Sequence, residues 1–160
     1  IVLAGLGGDA VARTSNGRID VQDQGGAVTA QTSNGAILIA RAGGPVDVRS
    51  SNGRIEVQAA PGSVAGETSN GAIEVALAPE SPGPVRLWTS NGPITLDVGA
   101  GFTGELSLST SNGSIRLPQD APGVRVVSLE KRSARLIFGD GAESSSARTS
   151  NGGVTVRRLP

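Results

Sequence analysis

The amino-acid sequence predicts an all-β protein, a parallel β-solenoid of about eight coils with 18 to 21 residues in each coil. Three observations lead to this fold class. The tetrapeptide Thr-Ser-Asn-Gly, or a close variant of it, recurs along the chain, mostly at intervals of 18 or 21 residues. Each copy is followed by two apolar residues in alternation, which is typical of a strand with one buried face. Glycine makes up 24 of the 160 residues and aromatic residues only 2%, so we expect frequent turns and a narrow aliphatic core.

The asparagines of the repeat set the register of the predicted coils. All seven asparagines of the chain belong to the repeat: Asn16, Asn34, Asn52, Asn70, Asn91, Asn112 and Asn151. Their spacings are 18, 18, 18, 21, 21 and 39 residues. Because 39 equals 21 plus 18, the pattern predicts one further, degenerate coil near 131–138, with Leu136 and Phe138 in its two apolar positions. The whole chain, residues 1–160, is expected to form a single solenoid domain.

Each repeat predicts two strands joined by a corner. Apolar residues such as Ile55 and Val57 stand three and five residues after the asparagine, and others such as Val46 and Val48 stand six and four residues before it. The Asn-Gly dipeptide between them suits a sharp change of direction, because glycine has no Cβ and asparagine tolerates the left-handed region. Strands that recur at a fixed interval stack like on like most simply when they are parallel, about 4.8 Å apart.

The polar columns of the repeat are expected to hold adjacent coils together. Asparagine side chains stacked in register can hydrogen-bond along a column, and we expect an internal ladder at the corners. The threonine two residues before each asparagine, for example Thr68, shares the phase of the buried valines. We therefore expect it inside the rod, with its hydroxyl bonded to a neighbouring threonine or to the backbone. Segments 58–63 and 78–84 are expected to form a third side, and a right-handed coil is favoured.

Composition narrows the functions that this chain can carry. The 14 basic and 14 acidic residues cancel and are scattered, so no nucleic-acid partner is expected. The chain has neither histidine nor cysteine, and no catalytic residue, cofactor or metal ligand is assigned. No apolar run is long enough to span a membrane. The amino end lacks the charged start of a signal peptide, so an exported form would have lost its signal already.

Two alternatives to a structural or binding module stay open. A carbohydrate-active enzyme on a β-helix needs convergent carboxylates, and Glu56 and Glu74 would be neighbours on one outward face. Arg54 shares that face, which favours a solvated ion-pair cluster. An ice-binding solenoid needs an outward array of threonine hydroxyls and methyls, and the inward phase of the threonines argues against it.

The repeated pattern Thr-Ser-Asn-Gly-x-Ile-x-Val resembles that of the bacterial adhesin or toastrack family, whose members are single-stranded β-helix repeat domains of envelope proteins. The resemblance covers nearly the whole chain, residues 1–156, and lapses only around Ser133. It implies a right-handed β-helix that is exported to the bacterial envelope or to the outside of the cell. There it would be a structural or binding module whose partner is a surface protein or a glycan. The family pattern names no catalytic residue.

Trp88, the single tryptophan, is the one candidate contact residue. A large exposed aromatic side chain can anchor a partner.

The two ends of the predicted rod are uncapped in the sequence pattern. Ile1 lies one 18-residue period before Ile19, so the first coil lacks its corner, and no cap is evident at either end. Two interpretations of these ends stay open, a domain cut from a longer chain and head-to-tail association of copies.

Overall fold

The structure, a computed structural model, describes residues 1–119 and 121–160. These residues form seventeen strands: β1 (Val2–Ala4), β2 (Ala10–Asn16), β3 (Ile19–Gln24), β4 (Val28–Asn34), β5 (Ile37–Ala42), β6 (Val46–Asn52), β7 (Ile55–Ala60), β8 (Val64–Asn70), β9 (Ile73–Leu77), β10 (Val85–Asn91), β11 (Ile94–Val98), β12 (Gly104–Asn112), β13 (Ile115–Arg116), β14 (Val124–Leu129), β15 (Ser133–Phe138), β16 (Ser144–Asn151) and β17 (Val154–Arg158). Within the described ranges there is no helix, and hence none that could cross a membrane.

Two sheets form the walls of the solenoid. Sheet 1 has the order β1-β3-β5-β7-β9-β11-β17-β13, and sheet 2 has the order β14-β15-β12-β16-β10-β8-β6-β4-β2. Neighbouring strands are parallel except in the two pairs that include β15. The predicted parallel β-solenoid is therefore confirmed. The prediction of a third side is wrong for segment 58–63, because it completes β7 and then makes a short turn, while 78–84 is a connection without a strand. The right-handed coil stays a prediction.

Alternation along each strand places the aliphatic side chains between the two sheets. Val46 and Val48 on β6, and Ile55 and Val57 on β7, are almost completely buried. Each such side chain contributes about 1.5–3 kcal/mol when it leaves water. The inward phase of the threonines is confirmed as well, since Thr68 has 0% of its surface exposed. The sequence pattern thus predicts correctly which residues face the core.

The glycine at every corner except that of Gly17 is required by the closeness of adjacent coils. A Cβ on Gly53 would lie 1.9 Å from the carbonyl oxygen of Gly35, and a Cβ on Gly71 would lie 2.1 Å from that of Gly53. The backbone N–H of Gly53 donates to the carbonyl oxygen of Asn70 at 3.0 Å. This contact between coils is a stronger constraint than the turn preference of Asn-Gly, because several corner glycines lie outside the left-handed region and would still clash as alanine.

The last coil does not follow the order of the sequence. The pair β16–β17 lies between β10–β11 and β12–β13 in the two sheets. The chain passes from β11 to the outer position, forms the hairpin β14–β15, and returns to occupy the position between. The degenerate coil predicted near 131–138 is therefore wrong, and the described residues form seven paired coils, fewer than the eight expected. Leu136 and Phe138 are buried, but on an antiparallel strand of sheet 2, because alternation buries one face whichever way the strand runs.

The two ends of the rod differ in their edges. At one end β1 and β2 are open parallel edges. At the other end the hairpin β14–β15 covers β12 in sheet 2, so the expectation that no cap is present is wrong there. Phe138 of this hairpin meets Phe102 edge to face, with their ring centroids 5.0 Å apart. The edge strand β14 carries a register shift between Val126 and Ser128.

Candidate functional site

An asparagine ladder runs along the corner edge of the rod. In each rung a side-chain Nδ2 donates to the Oδ1 of the neighbouring asparagine at 2.8 to 3.0 Å. The order along the rod is Asn16, Asn34, Asn52, Asn70, Asn91, Asn151 and Asn112. The predicted ladder is confirmed, but the expectation that it is internal is wrong. All seven residues are exposed, because they lie at the rim where the chain leaves sheet 2.

Threonine hydroxyls hold the same corners from the inside. Thr68 Oγ1 donates to the carbonyl oxygen of Gly53 at 3.2 Å, and the same bond is present in five other coils. Ser50 replaces threonine in one of these coils and keeps the bond, to the carbonyl oxygen of Gly35. The expected bond to the backbone is thus present. These buried hydroxyls are not available for the outward array that the ice-binding alternative requires.

The outward carboxylates of sheet 1 lie together, but arginines neutralise them. Glu56 and Glu74 are register neighbours, and Arg54 Nη2 lies 3.3 Å from the first carboxylate and 2.6 Å from the second. Asp97 accepts two hydrogen bonds from Arg157 at 2.6 and 2.8 Å, and these bonds raise the pKa of Arg157. These carboxylates line a cavity of about 250 Å³. The predicted ion-pair cluster is therefore present, and each of these carboxylates has a cationic partner.

A second cavity, of about 340 Å³, lies on the outer face of sheet 2 and surrounds Trp88. Trp88 is 38% exposed on β10 and is the contact residue expected from the sequence. Its register neighbours are Glu67 on β8 and Arg148 on β16. Arg86, two residues before Trp88, points to the same side of the strand and pairs in register with Ala65. The small side chain of Ala65 leaves the floor of this cavity open, and we call the cavity the Trp88 groove.

The charged groups of the Trp88 groove differ in whether they have partners. Arg49 Nε lies 3.4 Å from an oxygen of Asp47, and both residues of this pair line the groove. In the part of the chain that the structure describes, neither Arg86 nor Arg148 has a carboxylate within ion-pair distance, and Glu67 has no cation. The Nε of Arg148 donates to a serine hydroxyl at 3.2 Å. Two guanidinium groups and one carboxylate without an ion-pair partner among the described residues therefore lie around one exposed indole ring.

Part of the Trp88 groove is predictable from the sequence. Trp88 and Arg86 are recognisable as outward residues of one strand, because they alternate with buried Val85 and Leu87. The neighbour Arg148 is missed, since the repeat places its coil after that of Asn112 and not beside β10. Within residues 1–119 and 121–160, no group of three or more acidic side chains could hold a metal ion.

Comparison with known proteins identifies no family for this chain. No family model matches the chain, and searches of curated proteins and of solved structures found no match. The resemblance to the toastrack family stays a prediction that rests on the repeat. The geometry of the ladder and of the Trp88 groove is what bears on function.

Proposed function

We propose that this protein is a rigid, non-enzymatic scaffold of the bacterial cell envelope or surface, which binds a partner through the outer faces of its sheets. The observation that carries the proposal is the unbroken asparagine ladder, which links every paired coil to its neighbour. The location follows from the resemblance of the repeat to envelope domains of the toastrack family.

Three sets of hydrogen bonds hold each corner to the next. The asparagine amides bond to one another outside, the threonine hydroxyls bond to glycine carbonyls inside, and the glycine N–H groups bond to asparagine carbonyls between them. Each bond contributes about 1 kcal/mol net. Adjacent corner glycines also touch so closely that no side chain fits. Bending the rod at a corner would disturb all these contacts together, so the protein suits a role as a stiff platform.

The non-enzymatic part of the proposal is supported by the carboxylates of sheet 1. A glycosidase needs one carboxyl group kept protonated and a second kept free as nucleophile or base. Glu56, Glu74 and Asp97 are instead held by Arg54 and Arg157. This arrangement is that of a solvated ion-pair cluster, and not that of an acid and nucleophile pair open to a substrate.

Head-to-tail association of copies, expected as one alternative, is not part of this proposal. A copy stacked in the same direction would bring the edge β2 against β14, which lies beyond the antiparallel strand β15 and is separated by it from β12. Two extra strands would also lie between Asn112 and Asn16 of the next copy, which would place these residues about 14 Å apart instead of the single strand spacing of about 4.8 Å. The ladder could therefore not continue from one copy to the next.

Two measurements test the proposal. Fractionation of bacteria that express the native gene should place the protein in the envelope or in the medium, and a protein confined to the cytosol would contradict the location. A hydrolase and lyase screen on polysaccharides should give no turnover. Turnover that Glu74→Gln abolishes, while Glu130→Gln leaves it unchanged, would overturn the non-enzymatic assignment.

A further inference from the structure

We propose that the Trp88 groove binds a carboxylated sugar residue, such as a uronic acid, within an acidic polysaccharide. The inference deepens the proposed binding role and rests on it. It is carried by the side chains that surround the indole ring, which together match the three kinds of surface that such a sugar presents.

The indole ring matches the apolar face of a sugar. Trp88 lies on the outer face of a sheet with more than a third of its surface exposed, and it makes no aromatic pair within the described residues. An aromatic side chain with an apolar body and a polar rim is a frequent anchor in binding sites. The pyranose C–H groups would pack on the free ring face, while the ring hydroxyls point towards the polar rim.

The two arginines match the carboxylate. Arg86 is on the same strand and face as Trp88, and Arg148 is its register neighbour on β16. Both guanidinium groups lack a carboxylate partner in the described part of the chain, so a ligand would not have to displace one. A guanidinium group binds a carboxylate through paired N–H donors, which makes arginine well suited to this acid.

The single free carboxylate selects against other anions. Glu67 is the register neighbour of Trp88 on the side away from Arg148. A carboxylate accepts hydrogen bonds from sugar hydroxyls, whereas it repels the closely spaced charges of a polyphosphate or a nucleic acid. The side chains around the ring are thus arranged in the order acceptor, apolar surface and cation. A sugar acid presents hydroxyl donors, an apolar face and a carboxylate in one residue.

The shape of the site favours a polymer over a free monosaccharide. The outward row that contains Trp88 continues along the rod through Glu67 and Arg49 on one side and through Arg148 and Ser109 on the other. The strands in this row are about 4.8 Å apart and lie side by side. A polysaccharide chain lying across the strands could contact several of these side chains at once.

The native protein provides its own reporter for the test, because Trp88 is its only tryptophan and it has no tyrosine. Tri-galacturonic acid, titrated into the full chain at low salt, should change the fluorescence of Trp88 in a saturable way. The methyl ester of the same trisaccharide, which keeps the rings and hydroxyls but removes the charge, should bind at least about tenfold more weakly. Equal binding of acid and ester would overturn the carboxylate part of the inference, and no saturable change with either would overturn the site.

Variants distinguish specific binding in the Trp88 groove from general electrostatic attraction to a basic surface. Arg86→Gln and Arg148→Gln should each weaken binding about tenfold. Arg13→Gln is the matched control, since Arg13 lies in the same outward row on β2, far from the groove, and its loss should have no effect. An equal loss in all three variants would contradict the assignment.

Glu67→Ala gives the sharpest result. If the ligand is simply an anion, removing this negative charge should tighten binding. If Glu67 accepts hydrogen bonds from the hydroxyl groups of a sugar, binding should weaken in spite of the charge change, and tighter binding would overturn the sugar assignment.

Calorimetry with Trp88→Ala should show no binding while the circular dichroism stays unchanged. Failure of these tests would leave the scaffold role standing, because that role is tested separately by fractionation and by the activity screen.

Discussion

The side-chain amide of Asn151 donates a hydrogen bond to Oδ1 of Asn91 at 2.8 Å, although 60 residues separate them in the chain. Asn112, which is 21 residues from Asn91 and has the spacing of a direct neighbour, instead donates to Asn151 at 2.9 Å. The backbone repeats this order, since Gly92 donates to the carbonyl of Asn151 and Gly152 to that of Asn112. The last coil of the chain is therefore an inserted coil, with like side chains on both sides.

Engineered disulfides can test this order directly, because the native chain has no cysteine. Thr95 and Thr155 are register partners on the outer face of sheet 1, at a spacing that suits a disulfide. The variant Thr95→Cys/Thr155→Cys should therefore cross-link fully within one chain. In Thr95→Cys/Arg116→Cys the two positions are two strands apart, about 10 Å, and should not cross-link. Mass spectrometry of peptides distinguishes the two, and cross-linking of the second pair alone would restore the order of the sequence.

The inserted coil also marks the limit of what the sequence can predict. The columns of apolar residues and threonines follow from local alternation and a fixed period. The sequence of each coil therefore predicts which of its side chains face the core and which face solvent. Which coil lies beside which is a non-local property, and all coils carry nearly the same residues in their columns. Leu136 and Phe138 fit the apolar columns as well as the buried residues of the parallel coils do, because an antiparallel strand has the same alternation. For the same reason, the sequence does not reveal that Arg148 lies beside Trp88. The Trp88 groove is therefore only partly predictable.

Alanine at the corner glycines should separate steric contact from backbone strain. Gly53→Ala should lower the free energy of unfolding by about 3 kcal/mol or more, because its Cβ would overlap the backbone of Gly35. Gly17 has φ of 123°, but a Cβ added there would meet no atom within 4 Å, so Gly17→Ala should cost only the strain, about 1 kcal/mol. Urea unfolding measures both. A loss at Gly53→Ala no larger than that at Gly17→Ala would contradict the importance of contact between coils.

Acid should remove one stabilising ion pair. Hydrogen bonds from the guanidinium of Arg41 lower the pKa of Asp23, with one N···O distance of 2.9 Å. Because the pKa is lower in the folded state, this pair stabilises the fold above about pH 4, the ordinary value, and the contribution is lost as the pH falls through the folded-state pKa. Asp23→Asn should thus reduce stability at neutral pH, and this effect should disappear as the pH falls through the folded-state pKa of Asp23. Asparagine suits the left-handed backbone of residue 23, where φ is 53°.

The effect of Asp23→Asn should be small, and Asp140→Asn provides a control variant for it. Both side chains are exposed, so the effect at neutral pH should be small and should shrink in concentrated salt. Asp140→Asn changes the net charge equally at a position without an ion pair in the described ranges, and it should leave the pH dependence of urea unfolding unchanged. A pH dependence that both variants alter alike would assign the effect to net charge.

Deamidation should begin at one end of the ladder. The reaction requires the N–H of the following glycine to lose its hydrogen bond, so that its nitrogen can attack the asparagine Cγ, form a succinimide and release ammonia. Six corner glycines donate this N–H to the next asparagine carbonyl, whereas Gly113 has no such acceptor among the described residues. Asn112 should therefore deamidate first in the native protein, and all seven asparagines should react at similar rates after denaturation. Peptide mapping by mass spectrometry follows each site, and early loss at Asn52, in the middle of the ladder, would contradict protection by the stacked corners.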